Sequence, residues 1–182
     1  MTNSIPGKII LLNGASSAGK STLARGLQAA LPEPFWHYSI DHLLAAKILP
    51  DGFPWRDLRP RFFDGFHNSI PALAEGGNNL IVEYIVETRE WMDRLLHLLH
   101  PFDVFFVGVH CPLLELERRE KARGDRPIGD ARRDFETTHT FGFYDFEVNS
   151  TQPLDENVRA VIAAWQVRQR PTAFEKMLQA QN

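Results

Sequence analysis

The 182-residue sequence predicts a three-layer α/β domain, with a central parallel sheet of about five strands covered by helices on both faces. Three observations carry that reading. Short apolar runs alternate with stretches of helical periodicity, the first run opens onto a glycine-rich loop that leads into a helix, and no internal repeat or low-complexity linker interrupts the pattern. The length suits a single domain spanning residues 1–182. Charged residues at 24% and apolar residues at 43% exclude a disordered tail or a collagen-like polymer. A formal charge of −3 and a pI near 6.2 argue against a surface built to coat nucleic acid. Cys111 is the single cysteine, so neither an intramolecular disulfide nor a Cys-based zinc site is available, which fits a reducing compartment. The opening MTNSIPGKIILLNG has a four-residue apolar run, short of a secretory signal, and no stretch reaches the ~18 apolar residues of a membrane span. A cytoplasmic chain with no membrane and no nucleic-acid partner is the expectation.

The elements follow in order. Ile9 to Leu12 reads as a strand buried on both faces, ending at Asn13-Gly14. From Lys20 a helix carries Leu23, Leu27 and Ala30, and Pro32 and Pro34 stop it. Phe35 to Ile40 reads as a second strand, His42 to Leu49 as a helix, and residues 51 to 60, with Gly52, Pro54 and Pro60, as loop. Arg61 to Glu75 aligns Phe62, Phe66, Ile70 and Leu73, with a kink or break at Pro71 and a Gly76-Gly77 terminus. Leu80 to Val86 is the third strand, and Thr88 caps a helix running to His100. Val104 to His110 is the fourth strand, Leu113 to Arg123 the next helix, ended by Gly124. Tyr144 to Val148 reads as a fifth strand and Asp155 to Arg168 as a helix. In such a fold ligands sit beyond the carboxyl ends of the strands, so the residues just after each strand are where chemistry is expected.

Gly14-Ala15-Ser16-Ser17-Ala18-Gly19-Lys20-Ser21 fits the phosphate-loop pattern G-x-x-x-x-G-K-[ST] and lies between a strand and a helix, as the mechanism requires. The glycines let successive N–H groups turn toward phosphate oxygens, and the helix N-terminus adds its dipole. Lys20 is then placed to bridge β- and γ-phosphates, and the Ser21 hydroxyl to coordinate Mg²⁺. Glu83 and Glu87 are the carboxylates available to help hold that ion, or alternatively to pair with an arginine. Asp41, directly after the second strand, suits either a base that takes a proton from an attacking hydroxyl or an N-cap for the helix behind it.

Residues 118 to 133 hold seven basic and three acidic side chains, a local +4 on an otherwise acidic chain. A helix ending Arg-Gly-Asp-Arg matches a mobile lid at about 118–134, with Arg119, Arg123 and Arg126 as candidates to stabilise a transferring phosphoryl group; a solvated charged face is the plainer reading.

Together, GASSAGKST, LPEPFWHYSIDHLL, GGNNLIVEYIVE, VGVHCPLLELERREKARGDRPIG and THTFGFYDFEVNST resemble the chloramphenicol phosphotransferase-like proteins from Gly14 to about Val161. The resemblance implies an ATP- and Mg²⁺-dependent kinase acting on a hydroxyl of a small molecule, chloramphenicol 3-O-phosphotransferase-like, with a fold similar to nucleoside monophosphate and shikimate kinases. It maps the nucleotide loop to Gly14 through Thr22, the catalytic base to Asp41, and the lid arginines to Arg119, Arg123 and Arg126. Glu83 departs from it, standing where an Asp is expected. Phe53, Trp55, Phe62, Phe63 and Phe66 fall where such a kinase holds its acceptor. A nucleoside or nucleotide kinase stays open because Arg56, Arg59 and Arg61 offer charge for a phosphorylated acceptor, as does a non-catalytic ATP-binding module. His97 and His100 lack the partners of a zinc site, His67 faces the acceptor or packs beside Phe63, and Cys111 reads as core. His139, Tyr144 and Asp145 sit where they can fix the end of the lid.

Overall fold

The apolar run Ile9–Asn13 forms strand β1, and every residue of it is buried. The computed structural model describes residues 5–124 and 128–181. β1 lies in the middle of a parallel sheet with β2 (Phe35–Ser39), β3 (Asn79–Tyr84), β4 (Val104–His110) and β5 (Phe146–Asn149), in the order β2-β3-β1-β4-β5. Ile9 pairs with Leu80 on one side and Val104 on the other. The chain leaves β1 toward one edge of the sheet and β4 toward the other, so the loops after these neighbouring strands part and leave a crevice between them.

Alternation along the strands sorts the core into two layers. Ile9, Leu11, Leu80, Val82 and Phe106 face α3 (Trp55–Glu75), α4 (Arg89–Leu99) and α8 (Ala173–Gln179). Ile10, Leu12, Ile81, Phe105 and Val107 face α1 (Lys20–Ala30) and α7 (Leu154–Gln166). The remaining helices are α2 (Ile40–Ala45), α5 (Leu113–Arg123) and α6 (Asp130–Thr137). The three-layer architecture with five parallel strands is as the alternating pattern predicts.

Several boundaries differ from expectation, each for a local reason. β2 ends at Ser39, whose hydroxyl accepts the His42 N–H at 3.2 Å, so Ser39 rather than Asp41 caps α2. α2 stops at Ala45 instead of Leu49, and Lys47 takes a left-handed φ of 53°. Residues 55 to 60, expected as loop, are helical. α3 starts behind Pro54 and carries both Pro60 and Pro71, because burial of Phe63, Phe66, Ile70 and Ala74 outweighs the lost backbone bonds. β5 is shifted to Phe146–Asn149, and β3 ends two residues early, at Tyr84. α6 and α8 were not expected at all.

Candidate active site

The phosphate loop leaves β1 under strict steric limits. A Cβ on Gly14 would come within 2.5 Å of the Val109 carbonyl oxygen on β4, so the loop can pass only without a side chain there. Gly19 holds φ at 92° and Ser17 at 63°, turning the loop back into α1. Lys20 is buried and its ammonium donates to the carbonyls of Gly14 and Ala15 at 2.8 and 2.9 Å, which lays the side chain along the loop.

At the far side of the loop, Ser21 Oγ donates to Glu83 Oε1 at 3.0 Å. Glu83 is 6% exposed, and its second oxygen is buried without a hydrogen-bond partner. Burial alone would push this carboxyl up, but the neighbouring His37, the Lys20 charge and the Ser21 hydroxyl outweigh it and hold the group below the usual carboxylate range. A hydroxyl and a carboxylate oxygen 3.0 Å apart match adjacent corners of an octahedral shell with bonds of about 2.1 Å, so this pair fits a small divalent cation such as Mg²⁺.

Ser16 through Thr22, Asp41, Glu83, Arg119 and Arg123 all line one cleft of about 1140 Å³; Gly14 and Ala15 are buried beneath its floor. Arg126 lies outside the described residues. Arg119 is tied down: its Nε donates to Glu115 at 2.7 Å and its Nη atoms to the Ser150 hydroxyl and carbonyl at 3.0 and 3.1 Å, beside Gly19. Asp41 sits in the first turn of α2 and lines the same cleft as the loop side chains.

The aromatic segment divides. Trp55 and Phe63 face the cleft, Phe66 is sunk in the core, and Phe53 points to solvent at 64% exposure. Of the three arginines there, only Arg59 reaches the cleft, and its Nη2 donates to both oxygens of Glu87 at 2.7 and 2.6 Å while its guanidinium lies over Phe63 and Trp91. Glu87 thus pairs with an arginine, whereas Glu83 stays with Ser21. His67 turns away from the cleft, fully buried and hydrogen-bonded to the Tyr84 hydroxyl at 2.6 Å. Among the described residues, no group of three or more His, Cys, Asp or Glu side chains is placed to hold a metal ion.

Sequence reasoning missed three contributors. Asp134 on α6 accepts the Ser16 N–H at 3.1 Å with one oxygen and Arg133 with the other, so α6 is fastened to the phosphate loop. Glu120 caps α6 through the Gly129 and Ala131 N–H groups at 3.0 and 2.8 Å. The residues of the expected lid at 118–134 fall on α5 and α6, and Glu120 and Asp134 link α6 to α5 and to the phosphate loop. Asn13, closing β1, donates to the Thr138 carbonyl and the Tyr144 hydroxyl and accepts from Val86 N–H, fixing the end of that segment. The Tyr144 hydroxyl in turn shares a hydrogen bond with His139 Nδ1 at 2.6 Å. Burial, then the neighbouring His110 and Lys20, lower His139 to about 4, leaving the ring neutral. Asp145 instead accepts the backbone N–H groups of Phe106 and Ala173, tying α8 to the sheet.

A match to the family model for chloramphenicol phosphotransferase-like proteins spans residues 7–166 and takes in every one of these side chains. The chain belongs to that family. Proteins of two Mycobacterium tuberculosis strains, assigned by name to the O-phosphotransferases, are 32% identical over 197 aligned residues, covering 94% of this chain and 88% of theirs. Solved structures share the fold. The APS kinase of Mycobacterium tuberculosis in complex with AMPPNP and APS superposes with a TM-score of 0.67 at 21% identity, covering 88% of this chain and 98% of that one. A gluconokinase from Sinorhizobium meliloti gives 0.61 at 20% identity, with 90% and 94% covered. The tunicamycin resistance protein of Deinococcus radiodurans gives 0.62 at 17%, with 89% and 97% covered. The family expected from the quoted stretches is thus the family found, and the phosphotransferase reading is supported at that level. No helix of the described residues is long and apolar enough to cross a membrane.

Proposed function

We propose that the protein is an ATP-dependent kinase that transfers the γ-phosphoryl group to a hydroxyl of a small, uncharged molecule, working in the cytoplasm without a membrane or nucleic-acid partner. The observation that carries this is a single cleft lined by a phosphate loop, the Ser21–Glu83 pair and the Asp41 carboxylate. Family membership and the O-phosphotransferase relatives support the same reading.

With the Ser16 and Ala18 N–H groups already taken by Asp134 and the Ala15 carbonyl, the N–H groups of Ser17 and of Gly19 to Ser21, at the N-terminus of α1, would hold the phosphates, with Lys20 turning from the loop carbonyls onto phosphate oxygens. Ser21 and Glu83 would hold Mg²⁺, which when bound neutralises charge developing on the phosphates. Asp41 accepts the proton of the acceptor hydroxyl as its oxygen bonds to the γ-phosphorus and the bond to the bridging oxygen breaks, releasing ADP. Arg119, Arg123 and Arg126 are assigned to the transferred group's side, with positioning and electrostatics supplying most of the rate.

Arg59 bears on the acceptor. Its charge is balanced by Glu87, its guanidinium lies over Phe63, and Ile40, Leu44 and Trp55 line the same cleft, which favours an uncharged acceptor with an apolar body over a nucleotide monophosphate. The test is ADP release with a panel of chloramphenicol, other neutral hydroxylated compounds, nucleosides and nucleoside monophosphates. Acceptor-dependent turnover with the neutral compounds is expected. Turnover confined to monophosphates would assign a nucleotide kinase, and tight ATP binding with no acceptor-dependent turnover would assign a binding module.

A further inference from the structure

We infer that His37 is a positioning residue that orients the Glu83 carboxylate toward the divalent cation of a bound nucleotide. The inference rests on the kinase reading above and deepens its cation site. β2 and β3 pair in parallel with Ser39 opposite Glu83, so His37, two residues before Ser39, projects from the same face of the sheet as Glu83. Both side chains are 6% exposed, and His37 Nε2 lies 3.5 Å from Glu83 Oε1.

Two polar atoms stand out there. His37 Nε2 and Glu83 Oε2 are buried and make no hydrogen bond. A buried carboxylate with an unsatisfied oxygen and a buried imidazole nitrogen beside it are each costly when left unmade, and most such groups in folded proteins have partners. The two lie on adjacent strands, close enough that a displacement of a few tenths of an ångström brings the imidazole N–H into hydrogen-bond range of the carboxylate. The imidazole is not free to turn aside, because the His42 ring packs edge-on against it with centroids 4.4 Å apart.

Both contacts on Glu83 fall on Oε1, leaving Oε2 without a partner. Ser21 reaches it from the phosphate loop, and His37 from within the sheet, behind the cleft wall that Glu83 and Ser21 form. His37 is outside that wall, so it has no route to the nucleotide except through Glu83. A hydrogen-bond donor behind a metal-binding carboxylate fixes which oxygen faces the ion, and loss of such partners weakens metal binding about 10- to 100-fold.

The test follows Mn²⁺ by the loss of its free-ion electron paramagnetic resonance signal as it is titrated into the full-length protein with AMPPNP. His37→Ala is expected to weaken Mn²⁺ binding about 10-fold or more, with metal-free AMPPNP binding in EDTA changed less than about 2-fold. His37→Gln, which keeps an N–H donor at similar reach, is expected to restore most of the affinity. Wild-type Mn²⁺ affinity in His37→Ala overturns the inference while leaving the kinase reading intact. Equal loss in both variants together with a lowered unfolding midpoint overturns it in favour of a packing role. If the wild-type protein binds no AMPPNP and Mn²⁺, the kinase reading itself fails.

Discussion

The carboxylate of Asp134 accepts the backbone N–H of Ser16 at 3.1 Å, joining α6 to a loop 118 residues earlier in the chain. Asp134 is 2% exposed, and its other oxygen holds the Arg133 guanidinium at the cleft edge. Removing the carboxylate leaves the buried Ser16 amide without its acceptor, while the exposed Arg133 guanidinium keeps, among the described residues, only Asp130. Asp134→Ala is therefore expected to lower the unfolding free energy by about 2–3 kcal/mol, and Asp134→Asn, which keeps one acceptor oxygen, by about half as much. Urea unfolding of the three proteins measures this, and unchanged midpoints would sink the idea that α6 is clamped through Asp134.

Asp41→Asn tests the base. The amide keeps the size of the side chain and removes its basicity, so acceptor-dependent ADP release is expected to fall about 10²- to 10⁴-fold. Nucleotide affinity, set by the phosphate loop, is expected to stay within about 2-fold. Near-normal turnover would show that the proton leaves by another route.

Gly14→Ala tests the loop itself. The added Cβ would meet the Val109 carbonyl oxygen at 2.5 Å, and neither backbone can retreat without moving β1 or β4. Thermal stabilisation by ATP is expected to vanish, and the variant to lose about 1–3 kcal/mol of stability from overpacking. An ATP-dependent shift equal to the wild type would mean that the loop is not the nucleotide site.

How much of this was legible in the sequence depended on the kind of signal. Val104 to His110 and Leu113 to Arg123 match β4 and α5 residue for residue, since an unbroken apolar run and a glycine terminus are both local. α6 was invisible because it carries almost no apolar stripe; Ala131 and Asp134 are its buried residues, and polar contacts to Glu120 and Ser16 hold it. α8 left a sign that went unread, the Thr172-x-x-Glu175 capping box, whose two reciprocal hydrogen bonds are both present. Pro60 and Pro71 misled in the opposite direction, since propensity yields to burial in α3. At the site, the contiguous loop motif could be read directly. Asp134 and His37 could not, because their meaning comes from partners brought near only by the folded sheet.

His67 makes stability depend on pH. It is fully buried, and burial first, then the Arg94 charge, lower it from 6.5 to about 4, with Asp64 opposing. The unfolded chain binds this proton more readily than the folded one. The contribution is complete above about pH 6.5 and is lost as pH falls toward 4, by up to about 3 kcal/mol. His139, shifted the same way but half-buried, adds a smaller loss over the same window. Urea midpoints between pH 7.5 and 4.5 are expected to fall less steeply in His67→Phe than in the wild type, and parallel slopes would rule His67 out as a source of the acid sensitivity.

Arg59 and Glu87 define the last test, which concerns the acceptor. The guanidinium centre lies 4.6 Å from the Phe63 ring and 5.2 Å from Trp91, so it serves at once as the partner of Glu87 and as part of a flat aromatic wall. Arg59→Ala removes both and leaves a half-buried carboxylate facing a neutral acceptor. Because both side chains retain solvent contact, the pair itself contributes modestly to folding, and the main effect falls on binding. KM for a neutral acceptor is expected to rise about 10-fold with KM for ATP unchanged, a difference of ~1.4 kcal/mol in acceptor binding. Arg59→Ala combined with Glu87→Gln removes the orphaned charge and is expected to recover part of that loss. If the double variant is no better than the single one, the stacked guanidinium plane, and not the charge balance, shapes the acceptor wall. If instead Arg59→Ala raises KM for ATP and leaves the acceptor untouched, the two ends of the cleft have been assigned the wrong way round.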